Sequence, residues 1–245
     1  MIDPKKLSNE KVDILAFGAH PDDIEDGCGG LLVKAAKRGY STGIIDMSLG
    51  ELSTNGTVEE RQKEAQAARK ILGAKFRENL EVPNNFFFNS RELQDVLVKA
   101  IRAHKPEMVL VPYYFDRHPD HMATGNLVRE ALFTSGLIRY ETGQEKHRPT
   151  RFLFYMMWNE FQPSFILDIT DEFDTKMKAL LAHTSQFGGG KGTRKTIDND
   201  ADTLKFFEAR ARNYGFPIAK RYGEPYLSIN PIGLDDPMGF IPNFF

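Results

Sequence analysis

Cysteine is nearly missing from this chain: of 245 residues, one, Cys28, carries a thiol. That excludes a disulfide framework and a cysteine-rich zinc module, and it fits a reducing compartment. A dominant charge is missing as well, since 32 Lys and Arg stand against 34 Asp and Glu, for a formal net charge of −2 and a pI near 6.3. So balanced a chain has no electrostatic footprint for nucleic acid or an anionic membrane. No apolar stretch approaches the length of a membrane span, and the polar start MIDPKKLSNEK lacks the apolar core of a secretory leader. The expectation is a cytoplasmic protein acting on a small soluble molecule, with neither nucleic acid nor membrane as partner.

What is present is a full core and two polar clusters. At 41% hydrophobic content, residues 1–245 can bury one large domain. In the stretch VDILAFGAHPDD, the apolar run Ile14-Leu15-Ala16-Phe17 leads through Gly18-Ala19 into His20, Asp22 and Asp23. A second run, Met108-Val109-Leu110-Val111, leads into Arg117-His118-Pro119-Asp120-His121. Each reads as a buried strand with a polar tip, and open α/β sheets place their chemistry outside the carboxyl ends of strands.

Strand and helix signals alternate along the chain. A helix is expected over Gly27 to Gly39, a strand over Ser41 to Met47, and a helix from the capping box Thr57-Val58-Glu59-Glu60 to about Gly73. A short strand near Phe76 to Leu80 follows, then a loop with Pro83-Asn84-Asn85 and three phenylalanines. Helical spacing over Ser90 to Lys105, a strand at Glu107 to Pro112 and a helix through Ala123, Leu127 and Ala131 continue the alternation. This predicts a Rossmann-like α/β fold, a mostly parallel sheet with helices on both faces. Beyond Thr150, two strands (Phe152 to Met157, Ser164 to Ile169), a helix from Asp171 to about His183, a mobile glycine-rich loop over Gln186 to Gly192, and a helix from Asp200 to Tyr214 are expected. The Pro- and Gly-rich tail after Pro217 predicts an irregular C-terminal edge.

The chemistry sits in the two clusters. His20 and Asp23, three residues apart across a strand-to-helix turn, can converge on one point, with His121 as third ligand. Two imidazoles and a carboxylate with an open position suit catalytic zinc, and the same facial set suits iron(II). Asp22 is then placed to take a proton from water, His118 to face a developing oxyanion, and Asp120 to orient His118 through its other ring nitrogen. The plainer alternative is that Asp22 and Asp120 cap the helices that follow them. A dinucleotide reading of Gly27, Gly29 and Gly30 fails, because G-x-G-x-x-G is not matched and acidic residues precede it.

With these residues in view, Ala19-His20-Pro21-Asp22-Asp23 and His118-Pro119-Asp120-His121 resemble the LmbE-like (PIG-L-type) zinc N-deacetylases, which remove acetyl groups from N-acetylglucosamine conjugates. Leu52 to Thr57, Arg61, Pro112-Tyr113-Tyr114 and Ser185-Gln186-Phe187 extend the likeness. Within that superfamily the chain is most similar to the bacillithiol-biosynthesis deacetylases, which act on N-acetylglucosaminyl-malate. The resemblance implies Zn2+ held by His20, Asp23 and His121, Asp22 as general base, His118 as protonated oxyanion partner and acid, and an amino-sugar substrate. It also implies Arg61 as a substrate contact, read here as a fork for malate carboxylates; the alternative is a helical salt bridge to Glu60 or Glu64. A homo-oligomer is expected. The chain departs from relatives in having Asn84 where an acidic residue is common, a Phe86 to Phe88 run, and Thr203 near the place of a pocket tyrosine. Asn84 is therefore read as a sugar contact weaker than a carboxylate. A metal enzyme of another reaction type, and a non-catalytic metal- or sugar-binding module, are the competing classes.

Overall fold

The structure, a computed structural model, describes residues 7–188 and 193–234. Seven strands form one sheet: β1 (Ile14–Gly18), β2 (Thr42–Asp46), β3 (Phe76–Asn79), β4 (Met108–Pro112), β5 (Arg151–Tyr155), β6 (Phe165–Asp168) and β7 (Gly223–Leu227). Their order is β3-β2-β1-β4-β5-β7-β6. The first five strands in that order run parallel, and β7 pairs antiparallel with both β5 and β6. Alternation along β1 explains the layering, since successive side chains point to opposite faces. Leu15 and Phe17 pack with Val96, Leu97, Ile101, Leu127 and Val128 on one face, while Ile14 and Ala16 pack with Leu31, Leu32, Ala68 and Leu72 on the other.

Helices α1 (Asp23–Gly27), α2 (Gly29–Lys37) and α3 (Val58–Leu72) cover one face, and α4 (Arg91–His104) and α5 (Pro119–Ser135) the other. After β5 come α6 (Phe173–Leu180), α7 (Thr184–Phe187) and α8 (Ala201–Gly215). The capping box at α3 forms as expected: Thr57 Oγ1 accepts from the Glu60 N–H, and the Glu60 carboxylate accepts from the Thr57 N–H at 2.8 Å.

Three expectations need correction or restriction. The tail is not an irregular edge, because β7 inserts between β5 and β6. Its Gly223 and Pro225 read as breakers, yet β7 meets β5 only at Tyr226 and Leu227, so Pro225 lacks no ladder hydrogen bond on that side. The first helix begins at Asp23, not Gly27, and is interrupted at Cys28. The interruption is held from far away: the N–H groups of Gly30 and Leu31 donate to the buried carboxylate of Glu224 at 3.0 and 2.8 Å. Of the glycine-rich loop, Gln186 and Phe187 close α7, while residues 189–192 lie outside the described residues, as do residues 235–245 of the tail.

Candidate active site

β1 and β4 lie side by side where the strand order reverses, so the loops at their carboxyl ends open a crevice between them. The β1 turn folds around one carboxylate. Asp23 Oδ2 accepts the N–H groups of Ala19 and His20 at 2.8 and 2.9 Å, which leaves Oδ1 facing His121 Nε2 at 3.3 Å. Asp22, between them, takes φ 152° and ψ −20°, a conformation uncommon outside glycine, and its side chain keeps 18% of its surface open toward the cleft. From the β4 side, α5 brings His118 and His121 over the same point. One nitrogen from each of His20, His118 and His121 falls within 4.8 Å of the others, and the His118 and His121 rings stack at 4.7 Å.

The side chains around this cluster fix its proton positions. His121 Nδ1 lies 2.9 Å from Asp116 Oδ1, so its N–H donates there, while Nε2 faces Asp23 Oδ1 at 3.3 Å. Burial opposes charge on His121, but Asp23 and Asp116 overcome it and raise its pKa to about 10. Burial is likewise outweighed at His20, where Asp120 and Asp23 raise the pKa to about 8. Asp116 is held down at about 2 against its burial by His121 and three other N–H donors, among them those of His118 and Asn159. Carboxylates thus surround two buried imidazoles and demand positive charge between them. A divalent cation of zinc or iron(II) type would supply that charge in place of the His121 Nε2 proton, with that nitrogen, Oδ1 of Asp23 and the ring of His20 as donors.

Two sequence assignments change. Asp120 does not orient His118 with its carboxylate, which instead meets His20 Nε2 at 3.2 Å and accepts the Asn85 N–H. It is the backbone N–H of Asp120 that donates to His118 Nδ1, at 3.2 Å, because His118 caps α5 and its ring turns back onto the first helical turn. His118 is also not protonated at neutral pH: burial, with His20 and His121 nearby, lowers its pKa to about 4. With Nδ1 accepting, its single proton resides on Nε2.

Arg61 reaches the cleft wall but presents no open fork. It is 3% exposed, and its two terminal nitrogens bond Gly50 O, Ser53, Pro21 O and Asp22 Oδ2. Neither Glu60 nor Glu64 is its partner; Glu60 is occupied in the capping box and Glu64 binds Thr184 and Ser185. Gly50, at φ +71°, leaves the space that the guanidinium fills. Burial raises Asp22 to about 6, although Arg61 pulls in the other direction. Asn84 lines the cleft, 7% exposed, with its side-chain oxygen buried and without a hydrogen-bond partner among the described residues. Phe87 is buried in the core, while Phe86 and Phe88 remain exposed, their rings 6.0 Å apart. Thr203 is buried and donates to Ile197 O, at the side of a neighbouring hollow.

Sequence reasoning missed Asp116, Trp158 and Asp198, which also belong to this region. Asp116 stands two residues before His118, and that Asp-x-His spacing was the available signal. Trp158 and Asp198 come from loops over a hundred residues from the His20 turn and carry no local pattern. The cleft, about 310 Å3, is lined by His20, Asp22, Asp23, His118 and His121 at one end and by Trp158, Thr196, Asp198 and Phe207 at the other.

Comparison with known proteins identifies relatives of this chain. Residues 15–132 match the PIG-L family model, described as GlcNAc-PI de-N-acetylase. The chain is 28% identical over 194 residues to the diacetylchitobiose deacetylase of Thermococcus kodakarensis, covering 73% of this chain and 72% of that protein. It is 28% identical over 198 residues to a probable N-acetyl-alpha-D-glucosaminyl L-malate deacetylase 2 of Bacillus anthracis, covering 74% and 84%. A crystal structure of a conserved protein from Thermus thermophilus superposes with a TM-score of 0.85 at 36% identity, covering 94% of this chain and 99% of that one. The matched segment contains both histidine–aspartate clusters, and the likeness in structure extends over nearly the whole chain: the protein belongs to the PIG-L deacetylase family.

Proposed function

We propose that the protein removes the acetyl group from an N-acetylglucosamine conjugate, with zinc as its metal and N-acetylglucosaminyl-malate of bacillithiol biosynthesis as its substrate. One observation carries the reading: Asp22, a carboxylate open to the cleft, stands directly beside a donor set of His20, Asp23 and His121 that does not need it. Zinc held by those three residues would supply a Lewis acid that brings the pKa of water toward ~7 and polarises an acetyl carbonyl.

The remaining steps belong to the chain. Asp22, fixed by Arg61 through Oδ2, takes the proton of the attacking water. The developing oxyanion faces His118, whose neutral Nε2–H donates to it; this is a role for a preorganised dipole, which needs no charged imidazole. As the C–N bond breaks, the proton held by Asp22 passes to the departing nitrogen, so the products are acetate and the free amino sugar. Asp120 acts through His20, holding its ring in place. Asn84 Oδ1 accepts from a sugar hydroxyl, which would satisfy its buried oxygen.

The test is release of free amine from N-acetylglucosamine, its malate glycoside and related N-acetyl amino sugars, with oxygen consumption followed in parallel. Amine release with no oxygen uptake supports hydrolysis. Metal-loaded protein that releases amine from none of them overturns the reading. No helix among the described residues is long and apolar enough to cross a membrane. A cytoplasmic location and a homo-oligomeric assembly complete the proposal, the latter read by gel filtration coupled to light scattering.

A further inference from the structure

Part of the cleft wall is held from behind. Thr196 and Asp198 line the cleft, yet the segment that carries them, residues 194–199, hydrogen-bonds outside itself, among the described residues, only to Asn55 and to the start of α8. Asn55 stands outside the cleft lining. Its side-chain Nδ2 donates to Arg194 O at 2.9 Å, and its Oδ1 accepts the Arg194 N–H at 2.9 Å. One amide thus satisfies both backbone groups of one residue, the pairing that a neighbouring strand would provide. The segment is also closed on itself: Asn199 Nδ2 donates to Arg194 O at 2.8 Å, and Asn199 Oδ1 accepts the Thr196 N–H at 2.9 Å.

Asn55 is itself gripped by the body of the protein. Gln186 Nε2 donates to Asn55 O at 2.8 Å and to Ser185 Oγ at 2.9 Å. The Glu64 carboxylate of α3 accepts the Thr184 hydroxyl and both the N–H and the hydroxyl of Ser185, each at 2.7 Å. The adjoining Gly56, at φ +78°, lies so close to Ser185 that a Cβ would stand 2.6 Å from its Oγ. The turn at Asn55 is therefore a fixed point on α3 and α7, from which the two amide hydrogen bonds reach out to Arg194.

We propose that Asn55 is a positioning residue for the substrate cleft: its side-chain amide latches segment 194–199 and so sets Thr196 and Asp198 where they meet a bound sugar. The proposal rests on the deacetylase reading for the identity of the ligand. Both latch bonds lie at the surface, and a hydrogen bond of this kind is worth about two- to tenfold in an equilibrium constant. Two of them hold the segment closed without locking it, which places it at the low-stability end of the fold. The reacting groups are fixed independently of the latch, Asp22 by Arg61 and His121 by Asp116. Loss of the Asn55 amide should therefore weaken binding and leave the chemical step intact.

Asn55→Ala should raise KM by about tenfold for both N-acetylglucosaminyl-malate and methyl N-acetylglucosaminide, with kcat within about twofold of wild type. A second readout needs no turnover. Arg194 and Lys195 are exposed trypsin sites, and trypsin cuts backbone that has come free of its partners. Cleavage after these two residues, followed by mass spectrometry on the folded protein, should be about tenfold faster in the variant. Asn55→Asp, which sets an oxygen against Arg194 O, should free the segment in the same way. The latch is overturned if cleavage after Arg194 and Lys195 is unchanged in the variants. Its role in the cleft is overturned if cleavage quickens while KM stays put, or if kcat falls with KM unchanged. Failure of wild-type protein to release amine, with cleavage quickened in the variants, counts against the deacetylase reading alone.

Discussion

Arg61 Nη2 lies 3.1 Å from Asp22 Oδ2, so the buried arginine of the cleft is the partner of the carboxylate that opens onto it. The pair sits on the wall that joins α3 to the β1 turn, and Pro21 O shares the same guanidinium. Arg61 therefore positions Asp22 and the turn that carries it.

From that arrangement, Arg61→Met should lower kcat by about ten- to hundredfold on acidic and neutral substrates alike, with KM changing less. Steady-state kinetics on the two glycosides decide it. A loss confined to KM on the acidic glycoside would return Arg61 to the aglycone.

Asp22→Asn keeps the shape of the side chain and removes its ability to take a proton. Its kcat should fall by about a hundredfold or more, with metal content unchanged. A variant that turns over at the native rate while retaining metal would show that the base is elsewhere.

Elemental analysis of protein purified without added metal should find one zinc per chain, and His121→Ala should abolish it. Asp116→Asn should weaken metal binding by about ten- to hundredfold, because the His121 ring loses the acceptor that sets its tautomer. Competition with a chromogenic chelator measures the shift; an unchanged affinity would make Asp116 a loop anchor only.

Beneath the site, Arg77 bridges Glu25 at 2.6 Å and Asp46 at 2.7 Å, all three with 1% exposure or less. Arg77→Met removes the guanidinium that both buried carboxylates bind, and urea unfolding at neutral pH should show a loss of about 3–5 kcal/mol. Burial opposes ionisation of Glu25, but Arg77 and His183 depress its pKa from an ordinary 4.5 to about 2. A depressed carboxylate stabilises the fold above its unfolded pKa and loses that contribution as pH falls through the folded one. The gap between wild type and variant should therefore narrow between pH 4.5 and 2.

The two strand ends were legible because an apolar run that stops abruptly at His or Asp marks, in an α/β chain, a buried strand delivering polar groups at its carboxyl end. The capping box at Thr57 was legible because it is local: the hydroxyl acts within three residues of itself. Non-local pairing escaped. Gly223 and Pro225 look like turn residues, and only the partners Ile166 and Asp168 make them part of a strand. Side-chain direction also escaped at Asp120, where spacing alone allows His118 or His20 and the cap of α5 decides. The neutral state of His118 was hidden too, since it depends on burial and on two imidazoles placed beside it by distant segments.

Glu224 closes the interruption between α1 and α2 from a strand 193 and 194 residues farther along the chain. The parallel pairing of β1 with β2 and β4 draws on residues up to Leu110, whereas the amides of Gly30 and Leu31 have this carboxylate only when β7 is in place. The same carboxylate also receives Lys176 Nζ at 2.7 Å and the Tyr226 hydroxyl at 2.5 Å, so one side chain ties α2, α6 and β7 together. The break between α1 and α2, next to the His20–Asp23 corner, is thus closed by a segment remote in sequence, and a chain truncated before Glu224 would keep every candidate metal ligand while lacking the carboxylate that closes that break.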